Sequence, residues 1–516
     1  MKSVVKKIIS ILFFLAIITL FYTACYIYFE FDNIPFSQLL YSLNNAGGTS
    51  PEMFNKGVIY VVPKVIITIG IIYFIQKFIK IFVLNPKKNI EIKINAFSKS
   101  FKFKLFSYSK LKRRILYFLT CIILLLCSIK FFRIDTYIYY MMQTTDIYEN
   151  YFVEAHNVDV SFKDEKRNLI YIIVESEEAT GMSEENGGAV SKSYIPNLEK
   201  LALDNTNFSN TDKLGGAYQI AGITYTFGSL IAQTAGAPVL TYIGNEYYGT
   251  SKSFPGLYTL GEILEKNGYS NYMLMGSEAI FAGTKDYLEQ HGNYKVMDYI
   301  YAKENKWIDD DYYVWWGYED KKLFEFAKEQ LTEISKKDEP FNFTMMTLDT
   351  HCIDGYYDSS CGNKEFENEY ANSYYCNDKM IGEFISWIKK QDFYKNTTIV
   401  IVGDHLTMQN SFYSNIDSNY KRTIYNTIIN SYIKNPTNTK NREYTMLDLY
   451  PTTLASIGAS IEGDTLGFGV NLYSGKETLI EKLGYDYVDE EFQKDSSYYV
   501  TNFLGDTYFE LKEKKR

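Results

Sequence analysis

Three long apolar runs, at residues 8–29, 58–82 and 115–132, constrain this chain more than any other feature. Each comes close to or reaches the roughly 20 residues that a helix needs to cross the hydrocarbon core of a bilayer. The first resembles a signal segment, but it is long for one and lacks a small-x-small cleavage site, so it reads as an uncleaved anchor. Lys64, Lys77 and Lys80 fall near the ends of the second run and would snorkel toward the interface. Loop charge sets the direction of threading. Lys2, Lys6 and Lys7 precede the first run, residues 32–57 are almost free of Lys and Arg, and the next loop is strongly basic (Lys87, Lys88, Lys93, Lys99, Lys102, Lys104, Lys110, Lys112, Arg113, Arg114). An in-out-in-out path satisfies all these segments. It puts the N-terminus in the cytoplasm and everything after the third run outside it.

The chain changes character at that boundary. Residues 1–133 carry 19 Lys and Arg against 4 Asp and Glu, while the remainder carries 34 against 58. The expected division is therefore a membrane region at 1–133, a connector at 134–160 and an extracytoplasmic domain at 161–516. Nearly 400 residues suffice for a core of their own. An acidic surface excludes nucleic acid as a partner, since that role needs a basic face. The six cysteines form no CxxC, so a zinc ribbon or a thioredoxin-like motif has no support. With the domain outside the cytoplasm, Cys361 and Cys376 are the pair expected to bridge; three unpaired cysteines in the acidic part are the other reading.

Within the acidic part, NLIYIIV (168–174), FNFTMMTL (341–348) and TTIVIV (397–402) are nearly continuous apolar runs rich in β-branched and aromatic residues. Such runs predict buried parallel strands. Helical patterns at 195–203, 258–267, 320–335 and 377–390 lie between them, and the alternation predicts an α/β domain with a mostly parallel sheet. Residues 136–159 read as a connector with helical character. In such sheets ligands bind beyond the carboxyl ends of the strands. Those ends carry Glu175-Ser176, Asp349-Thr350-His351 and Gly403-Asp404-His405, and two of the chain's four histidines are among them.

Carboxylates with an imidazole suit a divalent cation, and a cation beside a hydroxyl makes it a better nucleophile. The segment GITYTFGSL (222–230) reads as a turn entering a helix that ends before Gly236-Ala237-Pro238. A hydroxyl at a helix start has unpaired N–H groups and the positive end of the dipole beside it, a setting that favours an incoming phosphate. Taken singly, a helix-start Thr is usually a cap and a strand-end carboxylate usually faces solvent. The order carboxylate, hydroxyl helix, Asp-His is the informative part.

That order resembles the sulfatase-like branch of the alkaline phosphatase superfamily, and within it the lipoteichoic acid synthases and the phosphoglycerol transferases that decorate periplasmic glucans. The resemblance runs from about Asn168 to at least Gly467. NLIYIIVES is similar to the family's first strand and metal carboxylate, YTFGSLIAQTAGAPV to the nucleophile helix, and IVIVGDHLTMQN to the last metal motif. WWGYEDKKLFEFA and TLDTHCIDG resemble intervening blocks, as does LGEILEKNGYSNYMLMGSEAIFAGTKDYLEQHG. The resemblance implies an alkaline-phosphatase/sulfatase-like fold. It implies Glu175, Thr226, Asp404 and His405 as metal ligands, Thr226 as nucleophile, and His351 and Lys285 as substrate contacts. It further implies one divalent ion, Mn²⁺ first with Mg²⁺ or Zn²⁺ as alternatives. The donor implied is phosphatidylglycerol, and the acceptor an envelope glycan, glycolipid or teichoic-acid-type chain reached through a glycerophosphoryl-threonine intermediate.

This chain also departs from the pattern. Cys352 stands where glucan-type members often carry a second histidine, Thr224 is a second hydroxyl two residues before Thr226, and three membrane runs differ from the five typical of lipoteichoic acid synthases. The competing readings are a phosphoethanolamine transferase, whose site is usually richer in histidine, a sulfuric or phosphoric ester hydrolase, and an inactive envelope binding protein. A true sulfatase needs a CxPxR-like segment, and none is present.

Overall fold

The computed structural model describes residues 2–31, 34–45, 51–82, 91–96, 99–104, 110–163, 165–243 and 253–505. Its contacts group the chain into two units, Met1–Phe31 with Pro51–Asp135, and Asp32–Ser50 with Thr136–Arg516. Four helices occur in the first part of the chain: α1 (Lys2–Glu30), α2 (Phe36–Asn44), α3 (Pro51–Phe82) and α4 (Lys110–Phe131).

In the first unit, α1, α3 and α4 pack together. Tyr22 and Thr68 join hydroxyls at 2.7 Å and Ser10 donates to the Tyr117 hydroxyl at 3.1 Å. Among the described residues, three helical stretches are long and apolar enough to cross a membrane: Val4–Glu30, Phe54–Ile75 and Arg114–Phe131. The side chains of Lys77 and Lys80 lie outside the described residues. Lys64 stays inside the second stretch, bonding the Tyr60 carbonyl at 3.3 Å with its ammonium 3.1 Å from the Tyr60 ring centroid. The basic segment after α3 includes an antiparallel pair of strands, Glu91–Ala96 with Lys99–Lys104, that the sequence did not suggest. Lys87 and Lys88 lie outside the described residues.

The second unit is built on a sheet of seven strands. They are β1 (Asn168–Val174), β2 (Gly216–Ala217), β3 (Ser270–Met275), β4 (Lys295–Met297), β5 (Phe341–Met346), β6 (Thr397–Gly403) and β7 (Ile424–Ile429). The spatial order is β2-β7-β6-β1-β5-β3-β4. β6, β1, β5, β3 and β4 run parallel, β7 is antiparallel to both β6 and β2, and β7 is thus the one strand of this sheet that reverses. The mostly parallel α/β sheet expected from the sequence is therefore present, with three of its central strands where the apolar runs lie. Successive side chains of a strand point to opposite faces. Leu169, Tyr171 and Ile173 enter one core and Ile170, Ile172 and Val174 the other. A strand buried on both faces must be apolar throughout, which is why NLIYIIV shows no alternation.

Helices cover both faces. The second core holds the helix Pro196–Asp204, α6 (Asp320–Ile334) and α7 (Glu369–Ile388). The first holds α5 (Thr226–Ala235) and the helix Leu260–Lys266. It also receives α2, whose Tyr41 is buried in it. That segment falls between two of the apolar runs in the sequence, so the division expected at residue 133 is interrupted by a piece that packs with the later residues. The stretch expected as a connector, 136–159, takes in most of the helix Ile134–Met141 and all of the helix Ile147–Tyr151. Cys361 and Cys376 are disulfide-bonded.

Candidate active site and metal centre

Strand register builds the site. β1 and β6 are parallel neighbours with Val174 opposite Gly403, so the residues that follow, Glu175 and Asp404, leave the sheet side by side. Gly403 is required there, because a Cβ would meet the Glu177 carbonyl oxygen at 1.9 Å. Ser176 takes a left-handed φ of 55°, a conformation that costs free energy in a residue with a side chain. Its amide donates to Asp404 Oδ1 at 2.7 Å, and the His405 amide donates to the same oxygen at 2.8 Å. Asp404 Oδ2 is buried and receives no hydrogen-bond donor.

His405 Nδ1 lies 2.9 Å from the Leu406 carbonyl. A carbonyl only accepts, so Nδ1 carries the proton and Nε2 faces the carboxylates. Nε2 is 3.3 Å from Asp404 Oδ2 and 3.5 Å from Glu175 Oε1. Ligand atoms of Glu175, Asp404 and His405 all fall within 4.8 Å of one another, and all three side chains are buried.

The hydroxyl is brought by α5, which packs in the first core. Gly222, at φ +83°, turns the chain where a Cβ would sit 2.8 Å from Val239 N. Tyr225 is extended and Thr226 opens α5, which Gly236 ends in a left-handed C-cap. Thr226 Oγ1 lies 3.3 Å from Glu175 Oε2 and 3.5 Å from His405 Nε2. Four residues named from the sequence thus converge. α5 is tied to the loop after β6 by a buried relay: Ser229 Oγ donates to the Asp404 carbonyl, Gln233 donates to Ser229 Oγ at 2.7 Å, and the Tyr171 hydroxyl donates to Gln233 at 2.8 Å.

His351 follows β5, the neighbour of β1 on its other side. Its Nδ1 donates to the Cys352 carbonyl at 2.6 Å and its ring lies 4.7 Å from that of Trp316. Lys285 sits on the short helix Thr284–Gln290, half exposed, 3.8 Å from Glu289 one turn on; among the described residues no hydrogen bond or ion pair joins it to the other four. Several supports were not read from the sequence. Tyr370 and Tyr374, one turn apart on α7, donate to the Thr350 and Ser176 carbonyls at 2.6 and 2.7 Å. Arg422 holds Glu178 through two bonds of 2.9 and 2.8 Å, and Glu178 accepts from the Thr407 amide at 3.1 Å. The i, i+4 spacing of Ser229 with Gln233 and of Tyr370 with Tyr374 is the one pattern that could have pointed to any of them.

The electrostatics fit a cation. Burial, with Glu175 alongside, pushes the Asp404 carboxyl up to about 7. Burial opposes charge on His405, but the Asp404 and Glu175 carboxylates outweigh it and raise the imidazole above its ordinary value. A buried acid raised in the folded state binds more protons folded than unfolded, so stability falls as pH rises through that window. The raised imidazole acts in the same direction. Metal-free protein is therefore expected to melt a few degrees higher at pH 5.5 than at pH 8, and a divalent cation should remove the difference by stabilising the pH 8 form. Thermal melts with and without chelator measure this. Metal-free melting that is flat or rises with pH would contradict it.

The family model for Sulfatase matches residues 167–459. Phosphoglycerol transferase I of Escherichia coli O6:K15:H31 is 30% identical over 271 residues, 51% of this chain and 34% of that one. The protein of the same name from Citrobacter koseri is 30% identical over 267 residues, 50% and 33%. The matched stretch is about a third of those relatives' length. Two solved structures overlap the chain: the lipoteichoic acid synthase LtaP from Listeria monocytogenes (19% identical, TM-score 0.46, covering 61% of this chain and 79% of that one) and the lipooligosaccharide phosphoethanolamine transferase EptA from Neisseria meningitidis (13%, 0.49, 87% and 84%). The family match extends over more than half of the chain and takes in every strand from β1 to β7, and on that ground the chain belongs to the sulfatase family.

Proposed function

We propose that this chain is a membrane-anchored phosphoglycerol transferase that moves glycerol phosphate from phosphatidylglycerol to an envelope glycan or teichoic-acid-type acceptor. One observation carries the reading: the Thr226 hydroxyl, at a helix start, faces a buried Glu175–Asp404–His405 cluster. The identity to phosphoglycerol transferase I supports the choice of transferred group. The orphaned Asp404 Oδ2 and the mixed carboxylate and imidazole donors fit one divalent cation, with Thr226 as fourth ligand. Mn²⁺ is our first assignment, with Mg²⁺ or Zn²⁺ as alternatives. Such an ion, when bound, lowers the pKa of a hydroxyl and offsets phosphate charge.

Glu175 Oε2 accepts from Thr226 and orients its oxygen. Thr226 Oγ1 forms a bond to phosphorus as the bond to the diacylglycerol oxygen breaks, and the threonine proton ends on that leaving oxygen. In the second half an acceptor hydroxyl forms the new P–O bond, the Thr226 Oγ1–P bond breaks and the acceptor's proton returns to threonine. Two displacements through a covalent intermediate replace one harder step. The α5 amide groups receive the phosphoryl oxygens. We assign His351 to hold those oxygens or the travelling proton, and Lys285 to the donor's negative charge.

The basic and apolar pattern of residues 1–133 supports a multi-pass protein of the plasma membrane with its catalytic part outside the cytoplasm. The Cys361–Cys376 bridge agrees with an oxidising compartment. Anchoring raises the local concentration of a lipid donor.

The test is to incubate the full chain with head-group-labelled phosphatidylglycerol and candidate glycans and weigh the products. Labelled glycerol phosphate on a glycan, with one diacylglycerol released per transfer, is the expected result. Consumption of phosphatidylethanolamine in its place, or release of free sulfate from a sulfate ester, would overturn the reading.

A further inference from the structure

The helix α2 lies between two candidate membrane runs in the sequence, yet its side chains reach three segments around Thr226. Gln38 and Tyr41, three residues apart and so on one face, are both buried. Gln38 Oε1 accepts from the Thr224 hydroxyl at 2.8 Å, and its Nε2 donates to Met408 Sδ at 3.3 Å. Thr224 precedes Thr226 by two residues, and Met408 follows His405 by three. The Tyr41 ring stacks on Phe227 at 5.2 Å and 18°, and lies 5.2 Å from Tyr225. Those are the residues on either side of Thr226. The Tyr41 hydroxyl donates to the Ala282 carbonyl. Ala282 follows Phe281, whose ring packs 5.5 Å from Trp316, the neighbour of His351.

We propose that α2 is a positioning element of the reaction centre. Gln38 holds the Thr224 hydroxyl in a bond directed away from the reaction, and Tyr41 clamps residues 225 and 227. Of the two nearby hydroxyls, Thr226 alone is then presented to Glu175 and His405. An alternative of pure packing would need only apolar bulk at position 38, whereas this geometry uses the amide as an acceptor. The proposal rests on Thr226 acting as the nucleophile.

The experiment uses the full chain and compares Gln38→Leu, which keeps volume but loses the acceptor, with Gln38→Glu, which keeps an acceptor oxygen. Each is measured for kcat, KM and melting temperature with phosphatidylglycerol as donor. A displaced nucleophile costs turnover more than binding. Gln38→Leu is therefore expected to lose about tenfold in kcat with KM within about twofold, and Gln38→Glu to recover most of the loss. Thr224→Val, which removes the other end of the same bond, should match Gln38→Leu, and the double variant should be no slower than either alone. Wild-type kcat in Gln38→Leu, or a Gln38→Glu variant slower than the leucine one, would overturn the proposal. Should a variant melt below the assay temperature, Thr224→Val alone decides by the same criterion. Full activity in Thr226→Ala would instead overturn the nucleophile assignment, so the two failures are separable.

Discussion

Thr226→Ala is expected to lower phosphoglycerol transfer by about 10⁴-fold or more, as loss of a covalent nucleophile does, while Thr224→Ala stays within about tenfold of wild type. The difference follows from where the two oxygens point. Thr226 Oγ1 is within 3.5 Å of both Glu175 and His405, whereas Thr224 Oγ1 is committed to Gln38. Thr226→Ser should keep measurable transfer, because it preserves the oxygen and loses only a methyl group. Release of labelled glycerol phosphate from phosphatidylglycerol measures all three. Transfer at the wild-type rate in Thr226→Ala would remove this residue from the chemistry.

The second large effect concerns the cation. The two oxygens of Asp404 have different tasks. Oδ1 takes the Ser176 and His405 amides and so fixes the loop, while Oδ2 has no donor and is the atom left for a metal. Purified protein is expected to hold about one divalent ion per chain, and Asp404→Ala to weaken its binding by more than about a hundredfold, beyond what loss of a supporting residue costs. Asp404→Asn keeps the loop contacts through its carbonyl oxygen but not the charge, so it should lose the metal with less damage to stability. Metal analysis after dialysis against graded chelator reads both variants. Unchanged occupancy in Asp404→Ala would contradict the ligand assignment.

How much of this was legible in the sequence depends on how local the cause is. β1, β5 and β6 could be read because strands buried on both faces must be apolar without interruption, and in a parallel sheet their ends meet at one edge. The strand-end carboxylates and imidazoles followed from that, and a hydroxyl-bearing helix start from Gly222 and Gly236, while the resemblance singled out Glu175, Asp404, His405 and Thr226 among them. β7 was missed because Asn426-Thr427 breaks its apolar run. Asn426 is tolerated in the sheet because it bonds the Phe208 backbone on both sides and the Tyr444 hydroxyl. α7 begins at Glu369, eight residues before the start expected at 377. Its first turns hold Asn372 and Ser373 at buried positions, and Asn368 caps them through two amides; the buried polar side chains hide the helical period. The contacts of α2 were beyond reach, because nothing local in a nine-residue helix records that its partners lie at Thr224, Ala282 and Met408. His351 was read at a strand end and given its role by resemblance, whereas Lys285 was placed by resemblance alone, on a short helix whose position is set by tertiary packing.

The most direct measurement is to incubate the full chain with phosphatidylglycerol and no acceptor, quench in acid and map the peptides by mass. The account predicts a single added glycerophosphoryl group, on the residue at position 226, formed together with one equivalent of diacylglycerol. Diacylglycerol released with that threonine unmodified, or the group carried by a different side chain, would contradict it.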